Sequence, residues 1–240
     1  MMMIRRWMAI GLGVMTLLIG CGPKSTYFPL EKGRTWSYVM RYERPDGKTQ
    51  EVMQIRTLGK ADYADAKGAS ETAYVRRTSS GTDYYLSVKS DGVYRVAKRV
   101  VVQFDPVADA KPRLVMPMGK NLRIGYSWAM ETQPMLIQWQ GTFAEANGSV
   151  KPFDMTYQVA ALDDTIDTPA GHFTHCIRIE GEGKITIYAN PASGYQEVLI
   201  NQREWYAPGV GLVRLERDEP LNMDIIKGGK AVMQLVDYSD

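Results

Sequence analysis

Cysteine is nearly absent: among 240 residues only Cys21 and Cys176 occur. Two cysteines form one disulfide at most, so no disulfide framework holds this chain together. Histidine is as scarce, with His172 and His175 alone. General acid–base chemistry would then fall on carboxylates or tyrosines, and none stands out. No Gly-x-Ser-x-Gly elbow, phosphate-binding loop or calcium loop occurs. Nor is there a surplus of charge, with 29 Lys+Arg against 27 Asp+Glu. That balance excludes nucleic acid as the main partner. Long apolar runs are missing too. The stretch from Trp7 to Ile19 is shorter than the roughly 20 residues a spanning helix needs.

What is present begins at that stretch. Arg5 and Arg6 precede it and Leu18-Ile19-Gly20-Cys21 close it. A basic start, a short apolar core and a small-residue end describe a secretory signal. The closing four residues resemble the lipobox of bacterial lipoproteins. That resemblance implies that residues 1–20 are a signal peptide and that Cys21 is the lipidation site and first mature residue. Residues 21–26 then form a short lipid-anchored tether to a membrane, in which Gly22 and Pro23 break any helix. The alternative is an uncleaved anchor. No Asp follows Cys21, and by resemblance to Gram-negative sorting this implies the periplasmic face of the outer membrane. Removing Arg5 and Arg6 leaves 27 basic residues against 27 acidic ones, so the mature chain is neutral. An acylated Cys21 leaves Cys176 without an internal partner. Cys176 then reads as a small buried hydrophobe, with a reactive thiol as the alternative.

The mature chain alternates with period two. Trp36, Tyr38, Met40 and Tyr42 share one face of a strand, and Pro45-Asp46-Gly47 turns it back. Strands are predicted at Glu51–Leu58, Thr72–Thr78, Tyr84–Val88 and Val93–Phe104. In the second half they are predicted at Tyr126–Met130, Leu136–Phe143, Phe153–Leu162, Phe173–Ile179, Ile185–Tyr188, Gln196–Tyr206, Leu212–Glu216 and Val232–Tyr238. Asn147-Gly148, Pro169-Ala170-Gly171, Gly181-Glu182-Gly183, Ser193-Gly194 and Gly228-Gly229 read as turns. Residues 59–70 read as a polar loop, with room for a short helix there or in 105–113. The expectation is an all-β domain over 27–240, mainly antiparallel: a curved sheet, an open barrel or a sandwich.

An internal echo suggests two similar halves, 27–111 and 112–240. Phe28-Pro29-Leu30 precedes Gly33-x-x-Trp36, and Met116-Pro117-Met118 precedes Gly125-x-x-Trp128. Tyr84-Tyr85 precede Gly92-Val93-Tyr94-Arg95-Val96 as Trp205-Tyr206 precede Gly211-Leu212-Val213-Arg214-Leu215. Chance recurrence of glycine and aromatic patterns is the competing explanation. Three stretches also resemble the TapB-like family of bacterial envelope lipoproteins. They are Tyr27-Phe28-Pro29-Leu30-x-x-Gly33-x-x-Trp36-x-Tyr38, Thr168-Pro169-Ala170-Gly171-x-Phe173-x-x-Cys176, and Trp205-Tyr206-Ala207-Pro208-Gly209-Val210-Gly211-Leu212-Val213. The resemblance implies a β-rich envelope protein and carries over no catalytic residue.

Two clusters test for chemistry. His172-x-x-His175-Cys176 invites a metal reading, but on a strand His175 points away from the other two, so no metal site is assigned. Glu180 and Glu182 would lie about 6.6 Å apart on one strand face, near an inverting glycosidase pair. Gly181 and Gly183 favour an ordinary turn there instead. No cofactor is expected. The leading functional expectation is a non-enzymatic lipoprotein that binds another envelope component or assists envelope assembly. A second is a carrier or sensor of an apolar ligand such as a lipid or acyl chain, held by Trp36, Tyr38, Tyr42, Trp128, Trp139 and Trp205. A periplasmic hydrolase is the third. Replacing Cys21→Ser should release the protein from the membrane or leave it unprocessed, as read by fractionation and the mass of the mature N-terminus. Normal processing with unchanged membrane retention would refute the lipobox assignment.

Overall fold

The computed structural model describes residues 26–142, 150–190 and 194–239. Cys21, the signal segment, Phe143, Asn147-Gly148 and Ser193 lie outside them. The described chain is all-β and forms one antiparallel sheet curled into a nearly closed barrel. Its strands are β1 (Thr35–Arg44), β2 (Gly47–Ala64), β3 (Ser70–Thr78), β4 (Asp83–Lys89), β5 (Gly92–Arg99), β6 (Val107–Pro117) and β7 (Ser127–Thr132). They continue with β8 (Gln138–Trp139), β9 (Phe153–Thr168), β10 (Gly171–Asn190), β11 (Gly194–Ala207), β12 (Gly211–Asn222) and β13 (Ile226–Ser239).

The spatial order is β6-β5-β4-β3-β2-β1-β13-β12-β11-β10-β9-β7, with β8 on β13. Nearly every strand therefore pairs with its neighbour in sequence. The exception that closes the meander is β1 on β13, from Thr35 opposite Ser239 to Glu43 opposite Lys230. The edges β6 and β7 are left facing one another, and the Trp128 indole N–H reaches across to the Leu114 carbonyl at 3.2 Å.

Period-two alternation gives the largest apolar cluster. Ile177, Ile179, Ile185 and Ile187 of β10 join Val198 and Ile200 of β11 and Met155, Tyr157 and Val159 of β9. A second cluster gathers Trp36, Tyr38, Met40, Val213 and Leu235 around Cys176. Cys176 is wholly buried, and burial beside Asp164 pushes its thiol up to about 11, which suits the small-hydrophobe reading.

Several expected turns and loops are strand instead. The Gly181-Glu182-Gly183 stretch lies inside β10, which runs unbroken for 20 residues. Its glycines serve packing: a Cβ on Gly181 would sit 2.8 Å from the Tyr157 ring, and one on Gly183 2.6 Å from the Met155 side chain. Side chains of β9 thus cross over β10 where β10 has none. Residues 59–64 continue β2 past a bulge at Gly59, whose φ is 102°. The hairpin that follows is set by Asp65, whose carboxylate accepts from the Lys67 and Ala69 amides, both at 2.8 Å. Residues 107–113 are the first part of β6, and β5 ends at Arg99 rather than Phe104. Leu136–Phe143 shrinks to the two residues of β8.

The two halves match in local geometry. Gly33 and Gly125 both have positive φ, at 95° and 82°. The Gly33 amide donates to Thr57 and the Thr57 amide to Arg34, both at 2.9 Å. Likewise Gly125 donates to Val159 at 2.9 Å and Val159 to Tyr126 at 3.0 Å. Pro29 lies against Gly211 and Pro117 against Gly92, so each half's leading proline packs on the other half's turn glycine.

Gly181→Ala should destabilise the protein by about 1–3 kcal/mol, because overpacking must displace Tyr157. A lowered midpoint of urea unfolding at unchanged slope checks this, and an unchanged midpoint contradicts the crossing.

Candidate binding site

An open groove of about 880 Å³ lies on the polar face of β7 and β9–β13. Strand register builds it. One row of directly opposed residues runs Thr156, Glu182, Asn201, Asp218 and Lys230 across five strands. The neighbouring row runs Ser127, Gln158, Glu180, Arg203 and Glu216. Strands lie ≈ 4.8 Å apart, so each row is about 19 Å long. The same strands turn Met155, Ile179 and Ile200 to the core, because alternate side chains take opposite faces.

Charges in the groove are partly committed to one another. Arg203 reaches Glu216 at 2.8 Å and Arg214 reaches it at 2.6 Å. Lys230 is 3.8 Å from Asp218, whose Oδ1 is buried without a hydrogen-bond partner. Glu180 accepts from Arg178. The groove thus offers carboxylates, amides, hydroxyls and one guanidinium in a regular two-row array. Such a surface suits a polar partner that makes many hydrogen bonds.

The core face of β11 and β12 carries a second polar system. Glu219, fully buried, accepts from the amides of Met135, Leu136 and Ile137 at 2.8, 2.8 and 2.9 Å. Arg217 donates to Glu219 at 2.8 Å and to Gln202 at 2.6 Å. Gln202 and the Tyr206 hydroxyl both donate to Glu204. Glu219 therefore fastens the segment before β8 beneath the sheet. Removing its carboxylate would strand a buried guanidinium and three amides, a loss of roughly 3–5 kcal/mol. Burial pushes the Glu204 carboxyl up, opposed by the donors Tyr206 and Gln202 and by Arg217. Burial, reinforced by Glu204, pushes Tyr157 up to about 12 and Tyr206 well above its ordinary value.

The six aromatic residues expected to hold an apolar ligand do not form one site. Trp36, Tyr38 and Trp205 are buried together, with Tyr42 packed against them, while Trp128 and Trp139 flank the larger cluster. Their polar tips are engaged: Trp36 donates to the Val210 carbonyl at 2.7 Å, Tyr38 to Leu212 at 2.8 Å and Trp205 to Asp164 at 3.1 Å. Tyr42 donates to Glu51 at 2.6 Å. Trp128 stacks on Tyr157 with centroids 5.7 Å apart.

His172 and His175 each face their own carboxylate, Asp167 at 2.6 Å and Asp163 at 2.7 Å. Among the described residues no three potential ligands converge on a metal position. Glu180 and Glu182 do share one face, but on a strand lining the groove rather than in a turn. The groove rows went unread in the sequence. Their signal was the period-two polar pairs Glu180/Glu182, Asn201/Arg203 and Glu216/Asp218 in three consecutive strands.

No family model matches the chain, so the TapB-like likeness stands as a resemblance only. No curated protein matches it either. Two solved structures are similar. One, from Bacteroides fragilis, is provisionally described as an exported protein with a YmcC-like fold. It is 16% identical and has a TM-score of 0.37 over 90% of this chain and 100% of its own. The other, from Parabacteroides distasonis, is provisionally described as a lipoprotein. It is 18% identical, with a TM-score of 0.38 over 91% of this chain and 100% of its own. Likenesses of this degree assign neither a family nor an activity.

Glu204 yields a pH prediction. Its folded-state pKa lies above the unfolded value, so the folded state holds its proton more tightly. That contribution is fully present below the unfolded pKa and is lost as pH rises through the folded pKa. Glu204→Gln keeps the neutral shape, so it should gain stability relative to the parent between pH 4 and pH 7. Urea midpoints at the two pH values measure this, and a variant that loses ground as pH rises contradicts the assigned shift.

Proposed function

We propose that this chain is a lipid-anchored envelope lipoprotein and that it acts by binding rather than catalysis. Cys21 carries the anchor, and the outer membrane's periplasmic face is its place. The proposed binding surface is the two-row polar groove over β9–β13, and the partner is another envelope component. The observation that carries the reading is the groove itself: ten polar side chains in register across the sheet, open to solvent, on a rigid support. What supports the envelope assignment is the basic-apolar-Cys21 start of the sequence. The provisional descriptions of the two similar structures agree with it.

The interior is a poorer candidate. Its large aromatics are packed and hydrogen-bonded within the chain, and the Glu219–Arg217–Gln202–Glu204–Tyr206 system runs through it. An acyl chain placed there would have to displace packed side chains and leave some of those buried polar groups without partners. A partner held by hydrogen bonds and charge at the groove carries no such penalty.

Photo-crosslinking in intact cells tests the surface. A photoreactive residue at Asn201 or Thr156, both exposed in the groove, should give a discrete adduct. The same residue at Val52, exposed on β2, should not. Equal labelling from the three positions, or none from the groove, would remove the groove as the binding surface.

A further inference from the structure

The chain between the tether and β1 lies across one end of the barrel. Thr26 accepts from the Gly209 amide at 2.9 Å and the Tyr27 hydroxyl donates to the His175 carbonyl at 3.0 Å, which fixes the segment to β10 and the β11–β12 turn. It then passes Phe28, packed near Tyr206, and reaches β2 and β3, where the Lys32 side chain lies 3.2 Å from the position of a Cβ on Gly59. At that far side a pocket of about 380 Å³ opens between Leu30, Glu31, Lys32, Gly59, Lys60 and Tyr74.

The pocket carries more cations than anions, and its cations form no ion pair among the described residues. Lys60 stands 5.0 Å over the Tyr74 ring. One strand pair deeper, Thr57 opposes Arg76 just as Lys60 opposes Tyr74, so Arg76 shares the face of Tyr74. The Arg76 guanidinium is sandwiched between Phe28 at 4.1 Å and Trp36 at 4.4 Å and donates to the Pro29 carbonyl. Its Nε and the Thr57 hydroxyl are both buried without a hydrogen-bond partner. Nearby acids are engaged elsewhere: Glu31 with Arg34 at 3.2 Å and Asp62 with the Thr72 hydroxyl at 2.7 Å. Among the described residues Lys32, Lys60 and Arg76 have no carboxylate partner in an ion pair. Arg76 behind two exposed lysines sets three cations against the single Glu31 carboxylate, so the pocket itself carries a surplus of positive charge.

We propose that this pocket docks the phosphate of an anionic phospholipid headgroup, so that the membrane holding the tether also orients the barrel. Lys32 and Lys60 contact the phosphate, and Arg76 and Thr57 supply field and polarity from behind. The inference rests on the lipid-anchor reading. It commits to lipid because the pocket lies on the end from which the tether leaves, only five residues of chain separating Thr26 from Lys32.

The test uses the mature lipoprotein reconstituted in vesicles of phosphatidylcholine alone or with phosphatidylglycerol. Flotation first reports whether the protein is anchored, so failure of the anchor is seen separately. Lysine acylation rates then report the pocket. With phosphatidylglycerol, Lys32 and Lys60 should label about fivefold more slowly, the effect of roughly one headgroup contact per lysine. Lys48, at the opposite end of β2, serves as the internal reference. Lys60→Gln should abolish the protection of Lys32 while leaving flotation intact. Equal rates in both vesicles, or protection untouched by Lys60→Gln, would overturn the proposal. So would full protection by inorganic phosphate in phosphatidylcholine vesicles, since that outcome assigns the pocket to the free anion.

Discussion

The pairing of β1 with β13 is the constraint on which the rest depends. It joins residues about two hundred positions apart, and the other long ladders link neighbours in sequence except β7 on β9, which passes over the two-residue β8. Without it the meander would be an open ribbon with both faces wet. With it, Trp36 and Tyr38 come beneath the β11–β12 turn and donate to Val210 and Leu212. β13 also becomes the last strand of the groove and supplies Lys230. The closing contact is non-local, so the entropy of loop closure is met by nine opposed residue pairs formed together. The opposite seam, between β6 and β7, is held by side chains such as Trp128 instead of a ladder.

Much of this fold was legible in the sequence. The alternation of Trp36, Tyr38 and Met40, the Gly-x-x-Trp openings and the aromatic-turn-strand endings all correspond to real strand starts and hairpins. Several of the errors share one cause. Glycine was read as punctuation at Gly181, Gly183, Gly228 and Gly229, all of which lie inside strands and make room for atoms of the neighbouring strands. A glycine needed for close approach looks the same in one dimension as a glycine needed for a turn. Only the partner strand distinguishes them, and the register with β9 is a property of the folded sheet.

The candidate site was hidden for a related reason. Single polar residues on a strand are unremarkable, and Glu180 and Glu182 drew notice only as an isolated pair. Registration with Asn201 and Arg203, then with Glu216 and Asp218, turns them into an array. The conspicuous residues, by contrast, were the aromatics, and most of these are core. Large amphipathic rings are recruited into sheets because they bury much area and still satisfy one polar tip, which Trp36, Tyr38 and Trp205 all do. Their abundance beside a membrane anchor is therefore a poor guide to a ligand.

The anchor and the barrel constrain each other geometrically. Thr26 is five residue steps from Cys21, and at about 3.3–3.6 Å each these span about 17 Å when fully extended. Thr26 is fixed to Gly209, so a lipid on Cys21 would keep the β11–β12 end of the barrel within that distance of the bilayer. The groove rows cross β10, β11 and β12 well back from that turn: Asn201 precedes Ala207 by about six residues, three strand repeats, and Asp218 follows Gly211 by a similar margin. At roughly 3.4 Å per residue this sets the groove about 20 Å along the strands from the tethered end. Under the proposed anchoring a short tether and a set-back groove are compatible: the end cap and its basic pocket would meet the membrane while the polar rows would stay open to the aqueous space beside it.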